Sequence, residues 1–208
     1  MLRLGIGTHV YLIDGIGGLY KAEIVEERKK QVYLKVIEAE HAYNKRSHHL
    51  HIAIAPTKNI DRLEWFLEKA TEIGIEEITP VICDRSERKV VKEDRLYKVI
   101  TAAVKQSLQA YHPVLNPQTT LSAFLKQRSD AVKMIAHCVD NAPRQFIAEV
   151  IKPQQRYTIL IGPEGDFTPS EIEMALQNDY KPLTLGNTRL RTETAALAAC
   201  FEVNYLNR

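Results

Sequence analysis

Two turns near the carboxyl end hold the residues best suited to binding a small ligand. One is Gly162-Pro163-Glu164-Gly165, and the other is centred on Gly186-Asn187. Glycine and proline stop a strand and leave backbone N–H and C=O groups unpaired, so each turn offers donors and acceptors to a ligand with polar edges. The helix that should follow Thr168 could instead hold an anion. Glu164, Asp166 and Glu171 surround that turn with negative charge, which argues against phosphate. Elsewhere, His49 and His51 stand at alternate positions and could share a metal. No third ligand type accompanies them, so no metal is expected and the histidines read as solvated groups at a strand entrance. Asp84 to Lys92 concentrates Arg85, Arg88 and Lys89 on a loop, which suits phosphate contacts, although its acidic residues also suit plain solvation. Gly15-x-Gly17-Gly18 has the composition of a nucleotide loop. No helix follows it, so it reads as a hairpin turn.

The elements around the two turns share one plan. Tyr157 to Ile161 is an apolar strand. Thr168, Pro169 and Glu171 supply an N-cap, a first helical residue and a capping box. Pro182 to Leu185 is a second short strand, and Ala195 to Leu206 an Ala-rich helix. Strand, turn and helix in that order put each turn at the carboxyl end of a sheet, where open α/β sheets bind ligands. The two turns should meet if their strands are neighbours.

Upstream, short β segments are predicted at Thr8 to Ile13, Leu19 to Glu26 and Val32 to Ile37. The polar run Glu38 to Ser47 marks a boundary, giving domains at 1–47 and 48–208. Strands follow at His49 to Ala55, Glu77 to Cys83 and Val132 to His137. Helices are expected at Asp61 to Ile73, Asp94 to Ala110 and Pro143 to Ile151. On the first of these, Arg62, Trp65, Lys69 and Glu72 form a stripe beside the apolar face, either a solvated face or an RNA-facing one. Gln106 falls near the buried side of the second helix. Strands alternating with helices predict a mainly parallel sheet.

With 208 residues, the chain suits one large domain, alone or with a small one. A net charge of +2 neither demands nor excludes nucleic acid. No signal peptide or membrane-length apolar run is present, so no membrane partner is expected. Cys83, Cys138 and Cys200 are scattered, which fits a reducing cytoplasm and argues against a disulfide framework or a zinc site.

The paired motifs Gly162-Pro163-Glu164-Gly165-x-Phe167 and Leu185-Gly186-x-x-x-Leu190-Arg191-Thr192-Glu193-Thr194-Ala195 resemble those of the RsmE family. Lys58-x-x-x-Arg62-x-Glu64 and Lys69-Ala70-Thr71-Glu72-Ile73-Gly74 extend the likeness. The resemblance implies an enzyme that methylates N3 of a uridine in 16S ribosomal RNA with S-adenosylmethionine. It implies an α/β domain of the SPOUT class with a trefoil knot, acting as a homodimer. The Ala195 to Leu206 helix is the candidate dimer face, with core packing as the alternative.

A small PUA-like β-barrel that helps hold RNA should precede that domain. Met1-Leu2-Arg3-Leu4 falls at the middle of the family's barrel, so the expectation is a barrel lacking its first strands. Implied cofactor contacts are Ala136, His137, Ile161, Gly162, Pro163, Glu164, Gly165, Leu185, Gly186, Leu190, Arg191, Thr192, Thr194 and Ala195. Implied RNA contacts are Lys58, Arg62, Lys69, Arg85, Arg88 and Lys89.

Arg191 is the candidate for stabilising charge on the uracil oxygens. Glu193 could accept a proton, brace Arg191 or sit as a helix-start carboxylate. Two departures stand out: Asp166 where the family has glycine, and Leu108-Gln109 where it has Gly-Arg. Two alternatives remain open, a SPOUT enzyme with another RNA target and a non-catalytic RNA-binding or assembly factor.

Overall fold

A computed structural model describes residues 4–138 and 143–208. The opening Met1-Leu2-Arg3 lies outside the described residues. The chain forms two compact units. One runs to Lys45 and includes Leu108–His112; the other comprises Arg46–Ser107 and Pro113–Arg208.

The first unit is an antiparallel meander of β1 (His9–Ile13), β2 (Leu19–Arg28) and β3 (Gln31–Glu40). The Gly15 to Gly18 segment is the hairpin turn its composition suggested. The Asp14 carboxylate accepts from the backbone N–H groups of Ile16 and Gly18, each at 2.8 Å, an Asx-type turn. Those two bonds hold the Asp14 carboxyl below its usual range. Gly17 has φ +106°, and a Cβ there would meet the Tyr111 hydroxyl at 2.3 Å, so only glycine fits.

The second unit is built on seven parallel strands: β4 (His49–Ile54), β5 (Glu77–Ile82), β6 (Val114–Leu115), β7 (Thr119–Thr120), β8 (Val132–Ala136), β9 (Arg156–Ile161) and β10 (Lys181–Leu183). Their order is β10-β8-β9-β4-β5-β6, with β7 pairing β5. The helices are α1 (Ile60–Ile73), α2 (Glu93–Ser107), α3 (Leu121–Leu125), α4 (Ile147–Val150), α5 (Pro169–Gln177) and α6 (Thr192–Leu206). The expected parallel α/β sheet is present. Central β4 is buried throughout Leu50 to Ile54, as a strand covered on both faces must be. Leu63, Phe66, Leu67 and Ala70 of α1 cover one side of the core. A second cluster joins Ala53, Leu160, Phe124, Phe167 and Ile172.

Two expectations on α2 need correction, His51 is buried rather than solvated, and three short elements were not anticipated. Helix α2 stops at Ser107 rather than Ala110, because Leu108 has φ +55°, which a helix cannot continue through. Gln106 is exposed, not near the core. Strands β6 and β7 and helix α3 had no sequence signal, since two-residue strands carry no periodicity.

His51 supplies a pH prediction. It is 8% exposed, with Nε2 2.7 Å from Thr79 Oγ1. Burial pulls its pKa down to about 4, against the opposing pull of Glu77. The unfolded chain binds a proton near pH 6.5 that the folded chain refuses until about pH 4. Stability is therefore full above pH 6.5 and falls as pH drops through that window, by about 3 kcal/mol. Urea unfolding at pH 7.0 and 4.5 should show a larger loss for the wild type than for His51→Gln. Equal losses would refute the assignment.

Candidate functional site

The two glycine-bearing turns follow β9 and β10, at the carboxyl ends of parallel strands. These strands are not neighbours, contrary to the simplest expectation: β8 lies between them. The turns still converge, because all three strands point the same way. The residues after β8, His137 and Cys138, fill the space between. Together the three turns line a cavity of about 290 Å³.

The first turn is held by side chains from elsewhere. Glu164 Oε1 accepts from Lys58 N at 2.9 Å, so Glu164 ties this turn to the one after β4. Asp166 N bonds Pro163 O at 2.9 Å. Asp166 itself has φ +61°, the left-handed region that explains a glycine at this position in the resembled family. Aspartate is among the few other residues that visit it. Its Oδ2 accepts from Cys138 N at 2.8 Å, joining the turns after β8 and β9. Behind the turn, Phe167 is fully buried, and a Cβ on Gly162 would stand 3.0 Å from its ring. The predicted capping box is present: Thr168 Oγ1 accepts from Glu171 N, and Glu171 Oε2 accepts from Thr168 N. Glu171 Oε1 also accepts from Asp84 N at 2.8 Å, so the box anchors a second loop.

In the second turn, α6 begins at Thr192, three residues earlier than expected, with Arg191 at the N-cap. The Arg191 side chain makes no cap bond and is exposed. Thr192 Oγ1 donates to Gly162 O at 3.0 Å, a buried bond that fastens one turn to the other. Gly186 has φ +121°, and the space where its Cβ would stand is open.

Twelve of the expected cofactor residues line the cavity. They are Ala136, His137, Ile161, Gly162, Pro163, Glu164, Leu185, Gly186, Leu190, Arg191, Thr192 and Ala195. Gly165 and Thr194 are exposed outside it. Glu193 is buried and is not a lining residue. Cys138, Arg144, Asp166, Leu183, Thr184, Thr188 and Arg189 also line the cavity. Of these, Thr188 and Arg189 lay inside a motif already singled out, and Asp166 was a visible departure. Arg144 gave no signal; it reaches the site by donating to His137 O at 2.9 Å.

Both ring nitrogens of His137 are buried without a hydrogen-bond partner among the described residues. Burial lowers the His137 pKa, with Asp166 opposing and Arg144 assisting. The cavity wall thus presents a neutral imidazole, next to backbone groups and apolar side chains. Such a lining fits a flat, polar-edged ligand.

The six basic residues proposed for RNA are engaged within the chain. Arg85 Nη1 donates to Gly165 O at 2.8 Å. Arg88 donates to Thr57 O and Lys58 O, and Lys89 Nζ to Cys83 O and Asp84 O. Lys58 pairs with Glu87, Lys69 with Glu68 and Glu72, and Arg62 with Glu193. Through Arg85 and Arg88 the Asp84 to Lys89 loop is tied to the turns after β9 and β4. Among the described residues no group of three His, Cys, Asp or Glu could hold a metal. No described helix is long and apolar enough to cross a membrane.

Asp166→Ala should weaken ligand binding in the cavity about tenfold. It removes the tether to Cys138 N, a bond to a charged acceptor worth about 1.5–3 kcal/mol. It also leaves alanine at a positive φ. Calorimetry with the ligand, beside a melting curve, checks this; unchanged affinity would show that the tether is dispensable.

A parallel sheet with a cavity made by turns at the carboxyl ends of its strands defines an α/β ligand-binding domain. Residues 44–204 match the RNA methyltransferase domain family, and residues 2–37 match the RNA methyltransferase PUA domain. The chain belongs to this RNA methyltransferase family. It is 28% identical over 208 residues to the Ribosomal RNA small subunit methyltransferase E of Rickettsia conorii, covering 99% of this chain and 84% of that one. A solved "probable rRNA-methyltransferase" from Porphyromonas gingivalis is 38% identical with a TM-score of 0.92, covering 99% and 87% of the two chains. The Ribosomal RNA small subunit methyltransferase E of Neisseria gonorrhoeae, solved bound to S-adenosyl methionine, is 26% identical with a TM-score of 0.88, covering 99% and 86%. These findings agree with the family resemblance read from the motifs.

Proposed function

We propose that this protein transfers the methyl group of S-adenosylmethionine to N3 of a uridine in the 16S ribosomal RNA of the small subunit. The observation that carries the reading is the three-turn cavity, with the unpartnered His137 ring on its wall and the open backbone of Gly186. Its likeness along nearly the whole chain to small-subunit methyltransferases supports the substrate.

The cofactor, when bound, supplies a methyl group already activated on a sulfonium. The chain's own residues bind, orient and exclude water. Backbone groups of Ile161 to Pro163, Leu185, Gly186 and Leu190 would take the polar edges. Ile161, Leu190 and Ala195 supply apolar contact. Uridine N3 carries a proton at neutral pH; that proton leaves to solvent as the N3–CH3 bond forms and the sulfonium C–S bond breaks, and negative charge spreads to the uracil oxygens meanwhile. Arg191 lines the cavity yet is exposed, so its permanent charge can meet the substrate there. The target base must be unpaired or flipped to reach it.

Residues 1–47 would serve as the PUA-like RNA-holding domain and 48–208 as the catalytic domain. The reading includes the SPOUT knot, a cytoplasmic location and a homodimer. The exposed side of α6 would form the dimer face, where Phe201 and Tyr205 stack at 6.2 Å under Arg208.

Calorimetric titration of the folded protein with S-adenosylmethionine should give one site per chain. Transfer of labelled methyl to small subunits should follow, with 3-methyluridine found by mass spectrometry of the 16S RNA. No cofactor binding would overturn the reading; labelling of transfer RNA instead would keep the enzyme and replace the substrate.

A further inference from the structure

Helices α1 and α6 lie side by side and run in the same direction, because they are joined at both ends. At their starts, Arg62 Nε stands 3.7 Å from Glu193 Oε1. At their ends, Gly74 O accepts from Asn204 Nδ2 at 2.8 Å and lies 3.4 Å from Cys200 Sγ. Glu193 is the second residue of α6. The residue is only 7% exposed, and its Oε2 has no hydrogen-bond partner among the described residues. A buried carboxylate is costly unless a cation or dipole offsets it. Here the start of α6 offers the dipole and Arg62 the cation.

This pair has a geometric consequence. Successive helical residues project about 100° apart, at 3.6 residues per turn. Once Glu193 faces α1, the direction of Thr192 is set, and Arg191, the extended N-cap residue at φ −72° and ψ 157°, leads directly into it. Arg191 and Thr192 are the residues just before it, and both line the cavity. Thr192 reaches Gly162 O, and Arg191 is left free of any capping duty. A rotated first turn would break the Thr192 bond and swing Arg191 off the cavity.

We propose that Arg62 is a positioning residue, which acts through Glu193 to set the rotation of the α6 start and so aim Arg191 and Thr192. The proposal rests on the methyl-transfer reading above. It replaces an RNA contact for Arg62 and proton acceptance for Glu193, whose carboxylate faces α1 rather than the cavity.

The test uses the full chain with Arg62→Met, Arg62→Lys, Glu193→Gln and the double variant Arg62→Met/Glu193→Gln. Arg62→Met should lower kcat by up to about 100-fold, as a misplaced reacting group does. Its KM for RNA should stay within about twofold. Arg62→Lys should recover most of the rate, and the double variant should be no worse than the poorer single one. If Arg62 instead contacts RNA, Arg62→Met raises KM and reduces the salt dependence by about one counterion. Its effect would then multiply with that of Glu193→Gln, and that outcome overturns the proposal.

Urea unfolding of the same four variants reads the pair without activity. Non-additive midpoints support it, and additive ones overturn it even where no RNA is methylated. A wild type that neither binds cofactor nor methylates RNA would sink the functional reading alone.

Discussion

Arg191→Ala is expected to cut methyl transfer by about 10²–10³, the range seen when one preorganised donor to developing charge is lost. Cofactor affinity should stay within about threefold, since on the proposed reading backbone groups of the three turns would hold the cofactor. The side chain caps nothing, so folding should be unaffected. Exposure of the guanidinium at the cavity gives it access to a second substrate. Single-turnover transfer at saturating cofactor and RNA isolates the chemical step from binding. Full activity in the variant would remove Arg191 from the mechanism. Loss of cofactor binding instead would make it a binding residue. Arg191→Lys should recover only part of the rate, because an ammonium lacks the planar fork.

Phe167→Ala should cost about 3–5 kcal/mol of stability, the range for deleting a buried aromatic ring. Phe167 is 0% exposed and packs with Leu160, Ile172 and Ala175 in the second core cluster. Its ring closes on Gly162, so the loss reaches the cavity wall directly. Its amide is bound by Asp166 Oδ1 at 2.8 Å and its carbonyl faces Arg85 Nη1 at 3.4 Å. The backbone tie survives substitution, but the packing beneath the turn does not. Urea unfolding should show the loss, and cofactor binding should weaken with it. A cost below about 1 kcal/mol would mean the cluster collapses into the vacated space. Phe167→Leu, closer in volume, should cost less.

Much of this protein is legible in its sequence alone. The apolar run of β9, the Thr168 to Glu171 capping box and the Gly162 to Gly165 turn are local, and local chemistry determined them. Alternating strand and helix patterns determined a parallel sheet. Motif spacing determined the family, and twelve of the expected cofactor residues do line one cavity.

What only the tertiary structure decided is long-range. Strand order was not readable, because hydrophobic pattern says which face is buried and not which strand is adjacent. Hence β8 came between β9 and β10, and Cys138 entered the site beside His137, which the resemblance had already implied. Arg85, Arg88 and Lys89 read as free cations because charge in a sequence carries no partner. In the fold Arg85 and Arg88 bind backbone carbonyls far away in the chain, and Lys89 binds those of Cys83 and Asp84 on its own loop. Glu193 followed the same rule: its residue type allowed three roles. Its contact with Arg62, 131 positions away, was none of them. Side-chain direction depends on where each helix begins and what it packs against, and those are properties of the assembled fold.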